Sequence, residues 1–157
     1  MTPIDYLEGD ESLLEAVEPL WNKLNQQHGA CSPYFADWFA RRTFAQRRVS
    51  LCDKMPIALR VDLAKDAQAG QVVGYSIASV DEARVGEIDS LYVEPAYRGA
   101  GIGNHLMQRA LVWLDGLQVS AKQLAVAVGN EQVFAFYARY GFFPRLTILL
   151  QKHIEAP

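Results

Sequence analysis

The sequence is short of cysteine, of basic excess and of long apolar runs, and each shortage excludes a class of protein. Only two of its 157 residues are cysteines, Cys31 and Cys52, too few for a scaffold held by disulfides. The formal net charge is −3, whereas nucleic-acid-binding domains usually carry a strong basic excess, so we expect no nucleic-acid partner. Because 50% of the residues are hydrophobic, the chain is not intrinsically disordered.

Signals for membranes, secretion and metals are equally scarce. No stretch approaches the roughly 20 apolar residues that span a bilayer, and the first residues lack the basic and apolar segments of a signal peptide. The three histidines are scattered, without His-x3-His or Cys-x2-Cys spacing, so we predict no metal site. We therefore expect a cytoplasmic protein without a membrane partner, folded as one domain over residues 1–157.

Hydrophobic periodicity predicts helices first and a mixed sheet afterwards. The predicted elements, in order, are a helix over 11–27, a helix starting at 32–33, strands over 56–63, 72–80 and 87–93, a helix over 103–114, a strand over 123–128, a helix over 131–140 and one or two closing strands over 142–153. Gly29 is expected to end the first helix, and Ser32 to cap the second. The three consecutive strands predict an antiparallel meander, and the whole order predicts an α/β fold, a mixed sheet flanked by helices.

A glycine-rich loop between the strand over 87–93 and the next helix is the most informative segment. It reads Arg98-Gly-Ala-Gly-Ile-Gly103. Alternating glycines let a backbone approach a ligand closely and turn its N–H groups toward it, and the helix N-terminus adds unpaired N–H donors and partial positive charge. The sequence therefore predicts an anion cradle suited to phosphate, in which Arg98 adds a contact or stiffens the loop.

The spacing of this loop excludes two common nucleotide-binding motifs. The P-loop needs Gly-x4-Gly-Lys-Ser/Thr, and no lysine lies near the loop. The dinucleotide fingerprint Gly-x-Gly-x-x-Gly, started at Gly99, ends on Asn104 instead of glycine. A generic nucleotide-binding domain is therefore disfavoured, and the remaining alternative is a turn that merely links strand to helix.

The loop and a second segment downstream together resemble a known family. The residues from Arg98 to Gly103 fit the Gln/Arg-x-x-Gly-x-Gly/Ala motif of the GNAT superfamily of acyl-CoA-dependent N-acetyltransferases. Asn130, Tyr137 and Gly141-Phe142 fit the Asn-x6-Tyr-x3-Gly-Phe pattern of that family's second cofactor segment. The resemblance implies a GNAT-like single α/β domain, whose mostly antiparallel sheet splays at the cofactor site.

The resemblance also implies acetyl-CoA as cosubstrate. In the family, the glycine loop binds the pyrophosphate of coenzyme A, and the pantetheine arm lies in the gap between two splayed strands. The residues that this implies for cofactor binding are Leu91, Tyr92, Val93, Arg98, Gly99, Ala100, Gly101, Ile102, Gly103, Asn104, Asn130 and Tyr137.

The implied reaction is direct transfer of an acetyl group to a primary amine, on a small molecule or a peptide. A lysine-like amine, with a pKa of about 10.4, must lose a proton, which a carboxylate can accept directly or through water. Glu87 is the first candidate, and Asp89 shares its face in a regular strand, a relation that a bulge would disturb. Tyr137 lies where many family members carry the tyrosine at the coenzyme sulfur, and could protonate the leaving thiolate. Whether Glu87, Asp89 or water acts as base stays open.

Other interpretations stay beside this one. The fold could hold an acyl-CoA without turning it over, as a sensor or regulatory module. Dimers are common in the family, so the resemblance also implies a homodimer.

We interpret Arg41, Arg42, Arg47 and Arg48 as a solvated helix face, with attraction of an acidic acceptor as the alternative. The preceding aromatic residues, Tyr34, Phe35, Trp38 and Phe39, are interpreted mainly as core, with a wall of the acceptor pocket as the alternative.

Overall fold

A five-stranded sheet with helices on both faces forms the protein, whose computed structural model describes residues 2–53 and 57–152. The strands, in spatial as in chain order, are β1 (Ile4–Gly9), β2 (Ala58–Asp66), β3 (Val72–Val80), β4 (Val85–Val93) and β5 (Ala121–Leu124). The helices are α1 (Leu14–Cys31), α2 (Ala36–Arg41), α3 (Phe44–Asp53), α4 (Ile102–Gly116) and α5 (Phe134–Ala138). Strands β1 to β4 are antiparallel and β5 is parallel to β4, so the mixed, mostly antiparallel sheet is confirmed.

The apolar core lies on both faces of this sheet because strand side chains alternate between them. On one face, Val17 and Trp21 of α1 and Leu51 of α3 pack against strand residues such as Val61 and Ile77. On the other face, α4 contributes Leu106, Met107, Ala110 and Leu114 to two further buried clusters. The helices before the meander and the helix after the glycine loop are therefore separated by the sheet.

The N-terminal region differs from prediction in three ways. Strand β1 was not predicted, although it pairs with β2 over its whole length. Helix α1 does not end at Gly29 but continues to Cys31. The glycine serves packing instead, because a Cβ at Gly29 would lie 3.3 Å from Cβ of Phe39. Two short helices replace the single one predicted after Ser32, and Thr43 with Gln46 forms a capping box at α3.

The meander is confirmed, whereas the C-terminal region is less regular than predicted. Strand β5 ends at Leu124, so 125–128 is not strand, and the predicted helix over 131–140 is a short 3-10 turn followed by α5. The closing strands are wrong for 142–152, which holds none. An apolar pattern needs a hydrogen-bonded neighbour to become a strand, and these residues pair with no strand of the described chain. Pro56 and His153, which bounded two predicted strands, lie outside the described residues.

A bulge and a divergence in β4 create the feature on which the site depends. The register of β3 with β4 runs through Ile77↔Ser90 and then Ala78↔Ile88, so Asp89 is the extra residue of a bulge. The pairing of β4 with β5 stops at Ile88↔Leu124. Beyond this point the two chain segments separate, which is the splay that the family resemblance implied.

Candidate functional site

A cleft of about 580 Å³ opens where β4 and the chain after β5 separate, a size usual for cofactor and ligand pockets. The residues that line it are 88–93 of β4, 97–99 and 101–104 around the glycine loop, 125–127, Asn130, Gln132, Val133, Phe136, Tyr137 and Arg139 after β5, and Leu24, Gln27 and His28 of α1. At about 3.3 Å per residue, the four steps along β4 from Asp89 to Val93 span about 13 Å. We call its two ends the Asp89 end and the glycine-loop end.

The glycine-loop end is built from backbone conformation. Gly99 and Gly101 have φ angles of 82° and 83°, in the left-handed region that side chains disfavour. A Cβ at either position would have no neighbour within 4 Å, so conformation and open space, not crowding, select glycine there. Gly101 precedes α4, and the first bond of that turn runs from His105 N–H to Gly101 C=O (3.0 Å). The N–H groups before His105 have no intrahelical acceptor, which suits an anion.

The other loop residues have different roles. Gly103 has no positive φ, and a Cβ there would make only an ordinary contact, 3.6 Å from Phe136. Ala100 is not among the residues that line the cleft. The Nε of Arg98 donates to the Val93 carbonyl oxygen (2.9 Å), and its guanidinium lies 5.5 Å from the ring centroid of Tyr92. Arg98 therefore ties the loop to the end of β4, as the stiffening role would require.

The Asp89 end is built from side chains on three separate elements. The side chain of Asp89 is fully buried, and its Oδ2 accepts a hydrogen bond from Ser79 Oγ of β3 (2.5 Å). Nη2 of Arg47, on α3, donates to the Asp89 carbonyl oxygen (3.0 Å) and lies 3.9 Å from Oδ1 of the carboxylate. Asp89 lines the cleft and Glu87 does not, since Glu87 is still paired with Gln123 of β5, whereas Asp89 lies beyond the last pair, Ile88↔Leu124.

The interpretation of the arginines as a solvated face is wrong for two of them. The Arg47 side chain is only 13% exposed, and Arg42 is half-buried, whereas Arg41 and Arg48 are exposed. The interpretation of the aromatic residues as core is wrong for Tyr34 and Trp38, which are 68% and 45% exposed. Helix α2, six residues long, buries none of its residues.

Tyr137 lies in the cleft wall on α5, where burial raises the pKa of its hydroxyl. The hydroxyl is therefore protonated at neutral pH and able to donate a proton. Asn130 is buried, and its side-chain oxygen accepts a hydrogen bond from Gln132. Asn104 accepts one from the Tyr140 hydroxyl (2.8 Å), which joins α4 to the segment after α5.

The sequence did not single out the part of the wall that α1 contributes. Leu24, Gln27 and His28 line the cleft. Nη2 of Arg98 donates a hydrogen bond to Oε1 of Gln27 (3.4 Å). Burial, followed by repulsion from the Arg42 cation, lowers the pKa of the His28 imidazole. Gly129 makes this approach of α1 feasible, since its φ is 95° and a Cβ there would lie 2.1 Å from the Cys31 carbonyl oxygen. No local sequence signal marks these residues, because only the fold brings them to the cleft.

Two further properties concern membranes and metals. Within residues 2–53 and 57–152, no helix is long and apolar enough to cross a membrane. Over the same ranges, no group of three or more His, Cys, Asp or Glu side chains is placed to hold a metal ion.

Comparisons with solved structures agree with this architecture. A mutant of the BH1408 protein from Bacillus halodurans superposes with a TM-score of 0.71 at 17% identity, over 96% of this chain and 99% of that one. An acetyltransferase from Trypanosoma brucei does so with a TM-score of 0.66 at 18% identity, over 96% of this chain and 100% of that one. The aminoglycoside acetyltransferase AAC(6')-Iy, solved with a CoA-containing bisubstrate analogue, has a TM-score of 0.63 at 17% identity, over 98% of this chain and 100% of that one. At such identities these similarities show a shared fold.

Comparisons at the level of sequence show to which family the chain is related. The mycothiol acetyltransferase of Salinispora tropica is 31% identical over 132 residues, which are 81% of this chain and 41% of that protein. The chain thus spans about two fifths of the length of that relative. The model of the acetyltransferase (GNAT) family matches residues 17–142. Because this match covers most of the chain and includes both segments that build the cleft, the chain belongs to the GNAT acetyltransferase family.

Proposed function

We propose that this protein transfers an acetyl group from acetyl-CoA directly to a primary amine. The observation that carries the proposal is the cleft between β4 and the chain after β5, with an anion cradle at one end and a buried carboxylate at the other. Family membership supports it, as do the relatives, which are named as acetyltransferases of mycothiol or of aminoglycosides. The acceptor of this protein is an amine on a small molecule or a peptide.

The residues at the glycine-loop end suit the pyrophosphate of coenzyme A. Gly99 and Gly101 leave open space beside backbone in the left-handed conformation, and the start of α4 offers unpaired N–H groups to negative oxygens. Further along, the main chain of Leu91 to Val93 has no β5 neighbour and could pair with the pantetheine amides as an added strand would. Ile102, Gly103, Asn104 and Asn130 line the same cleft, and Ala100 contributes only through its backbone.

Asp89 is the better of the two candidate carboxylates for the base. It lines the cleft at the bulge, whereas Glu87 lies outside the cleft wall. In the proposed reaction, Asp89 receives the ammonium proton, directly or through water, before the neutral amine nitrogen forms its bond to the acetyl carbonyl carbon. A backbone N–H of the unpaired part of β4 near Leu91 to Val93 would stabilise the oxyanion.

Tyr137 is the proposed acid. When the bond between the carbonyl carbon and sulfur breaks, the electron pair stays on sulfur, the Tyr137 hydroxyl supplies a proton to the thiolate, and the proton that the new amide nitrogen sheds returns to the tyrosinate through water. Burial, which raises the pKa of this tyrosine, keeps the proton available throughout the neutral range. Its place in the cleft wall, on the same side as Asn130, supports this role.

An acceptor screen with acetyl-CoA tests the proposal. Thiol release and product mass, measured together over a panel of amines and peptides, would identify donor, reaction and acceptor at once. The competing hypothesis, a sensor that binds acyl-CoA without turning it over, predicts micromolar or tighter binding by isothermal titration and no thiol release with any amine. Failure to bind CoA at all would contradict both.

We further propose a homodimer of one-domain chains in the cytoplasm. The segment 142–152 exposes large apolar side chains that a partner could cover, with Ile148 82% and Leu149 90% exposed. Both cysteines are free, which suits a reducing compartment. Light scattering should give twice the chain mass, and replacement of Ile148 and Leu149 by aspartate should halve it. A monomeric wild-type protein would contradict the dimer.

A further inference from the structure

Arg42, which follows α2, has a guanidinium held by aromatic rings. Its central carbon lies 4.9 Å from the ring centroid of Trp38 and 5.7 Å from that of Trp21. Such cation–π contacts orient the guanidinium plane without using its N–H donors. Because the residue is only half-buried, an approaching molecule can reach these donors.

Arg42 has no protein carboxylate to neutralise it within residues 2–53 and 57–152. The ion pairs among these residues involve the cations Lys23, Arg47, Arg60, Arg109 and Lys122. Burial, followed by repulsion from Arg47, lowers the pKa of Arg42, so the surroundings disfavour its charge. A half-buried cation beside a like charge costs stability unless an anion joins it, and such sites are often functional.

The position of Arg42 relates this cation to the Asp89 end of the cleft. Its charge acts on His28, which lines the cleft, and on Arg47, which hydrogen-bonds to Asp89. The His28 ring also packs edge-on against Phe39, at 5.6 Å between centroids, and Phe39 is in the last turn of α2 before Arg42. Arg42 is not itself among the residues that line the cleft, but its charge reaches both the cleft wall, at His28, and Arg47, which hydrogen-bonds to the proposed base.

We propose that Arg42 forms a subsite for a carboxylate carried by the acceptor, so that preferred acceptors bear both an amino and a carboxylate group. This inference rests on the acetyltransferase function proposed above. A planar guanidinium matches a carboxylate with two parallel hydrogen bonds, and the flanking indole rings reduce its hydration. Free amino acids and short peptides carry both an amino and a carboxylate group, whereas a polyamine or an aminoglycoside carries amines without a carboxylate.

Matched acceptor pairs test the subsite. Alanine, phenylalanine and lysine would be compared with their α-carboxamides, and dipeptides with a free C terminus with their amides, by thiol release from acetyl-CoA. The acid of a productive pair should have a kcat/KM about tenfold to a hundredfold above its amide, mainly through KM. The amide carries the less basic amine, so a preference for the acid cannot come from amine protonation. The two sets of pairs distinguish amino acids from peptides.

Arg42→Gln should abolish the preference, and Arg42→Lys should restore only part of it, because an ammonium lacks the planar fork. Arg48→Gln is the matched control, since it removes the same charge from an exposed position on α3. Thermal-shift titration of the same acids and amides in the presence of CoA provides a readout that does not depend on turnover. Acid-dependent stabilisation should be lost in Arg42→Gln and kept in Arg48→Gln.

The outcomes separate this inference from the proposed function. Equal use of acids and amides by the wild-type enzyme would overturn the subsite and leave the acetyltransferase function intact. Equal loss for acid and amide in Arg42→Gln, with a lowered melting temperature, would also overturn it and assign Arg42 to helix packing. Binding of acids that depends on Arg42, without thiol release from any amine, would support the subsite and contradict the acetyltransferase function.

Discussion

The two ends of the cleft are made in different ways. At the glycine-loop end, Gly99, Gly101 and the first turn of α4 are contiguous in sequence, and their backbone conformation is what suits this end to an anion. At the Asp89 end, the groups come from α3, β3 and a bulge in β4, more than 40 residues apart in the case of Arg47 and Asp89. A site made of local backbone can be found by a motif, whereas a site made of distant side chains requires the fold.

The largest loss of activity is expected from replacing Asp89, at the end of the cleft that distant side chains build. Asp89→Asn should lower kcat by about 10²–10⁴-fold if the carboxylate is the general base. Glu87→Gln, two residues away, removes the same charge outside the cleft wall and should stay close to wild type. Rate measurements on both variants over pH 6 to 9, with melting temperatures to confirm folding, would decide the base. A Glu87→Gln enzyme with the larger loss would reverse the assignment.

Arg47 tests how far the Asp89 end depends on distant contacts. Arg47→Gln removes a charged hydrogen bond to the bulge and should cost about 1.5–3 kcal/mol of unfolding free energy. Arg48→Gln, on the same helix but exposed, should change that free energy by less than about 0.5 kcal/mol. Denaturant titration of the two variants measures the difference. Equal stabilities would mean that α3 does not hold the bulge.

Tyr137 tests the proposed acid. Tyr137→Phe should lower kcat about tenfold to a hundredfold, a modest loss because a thiolate leaves readily even without a proton. Since burial raises the pKa of Tyr137, the wild-type rate should hold above pH 10 and then fall as the hydroxyl loses its proton. The phenylalanine variant should lack that fall. An unchanged kcat together with an unchanged alkaline limb would exclude Tyr137 as acid.

The smallest effects are expected at the glycine-loop end, where two neighbouring glycines act as variant and control. Gly101→Ala forces a side chain into the left-handed region and should cost about 1–2 kcal/mol, with a roughly tenfold weaker CoA affinity. Gly103→Ala should do little, because its Cβ would make an ordinary contact with Phe136. Isothermal titration with CoA compares them. Equal losses would show that close approach, not conformation, selects glycine.

Particular residues show how much the sequence could predict. The strand over 72–80 was placed correctly, because buried alternation and flanking turns are local signals. The signal at Gly29 is also local, but the prediction from it is wrong, since the glycine accommodates Phe39 instead of ending α1. Arg47 looked like part of a solvated face because its partner, Asp89, lies far away in sequence, and one of the two rings against Arg42, that of Trp21, does so too. The apolar segment 142–152 resembled strand, and no pattern in it could reveal the lack of a neighbour.

Local patterns in the sequence were sufficient for the family, the fold class and the conformation of the glycine loop, because glycine spacing, turn residues and period-two alternation act through the conformation of neighbouring residues. The three-dimensional fold was needed to show that Asp89 lies in a bulge within the cleft and Glu87 outside it. It also decided that Arg47 holds this bulge and that Arg42 lies half-buried without a carboxylate partner in the described chain. Burial and charge pairing depend on which distant residues the fold brings together, and a local pattern carries no record of them.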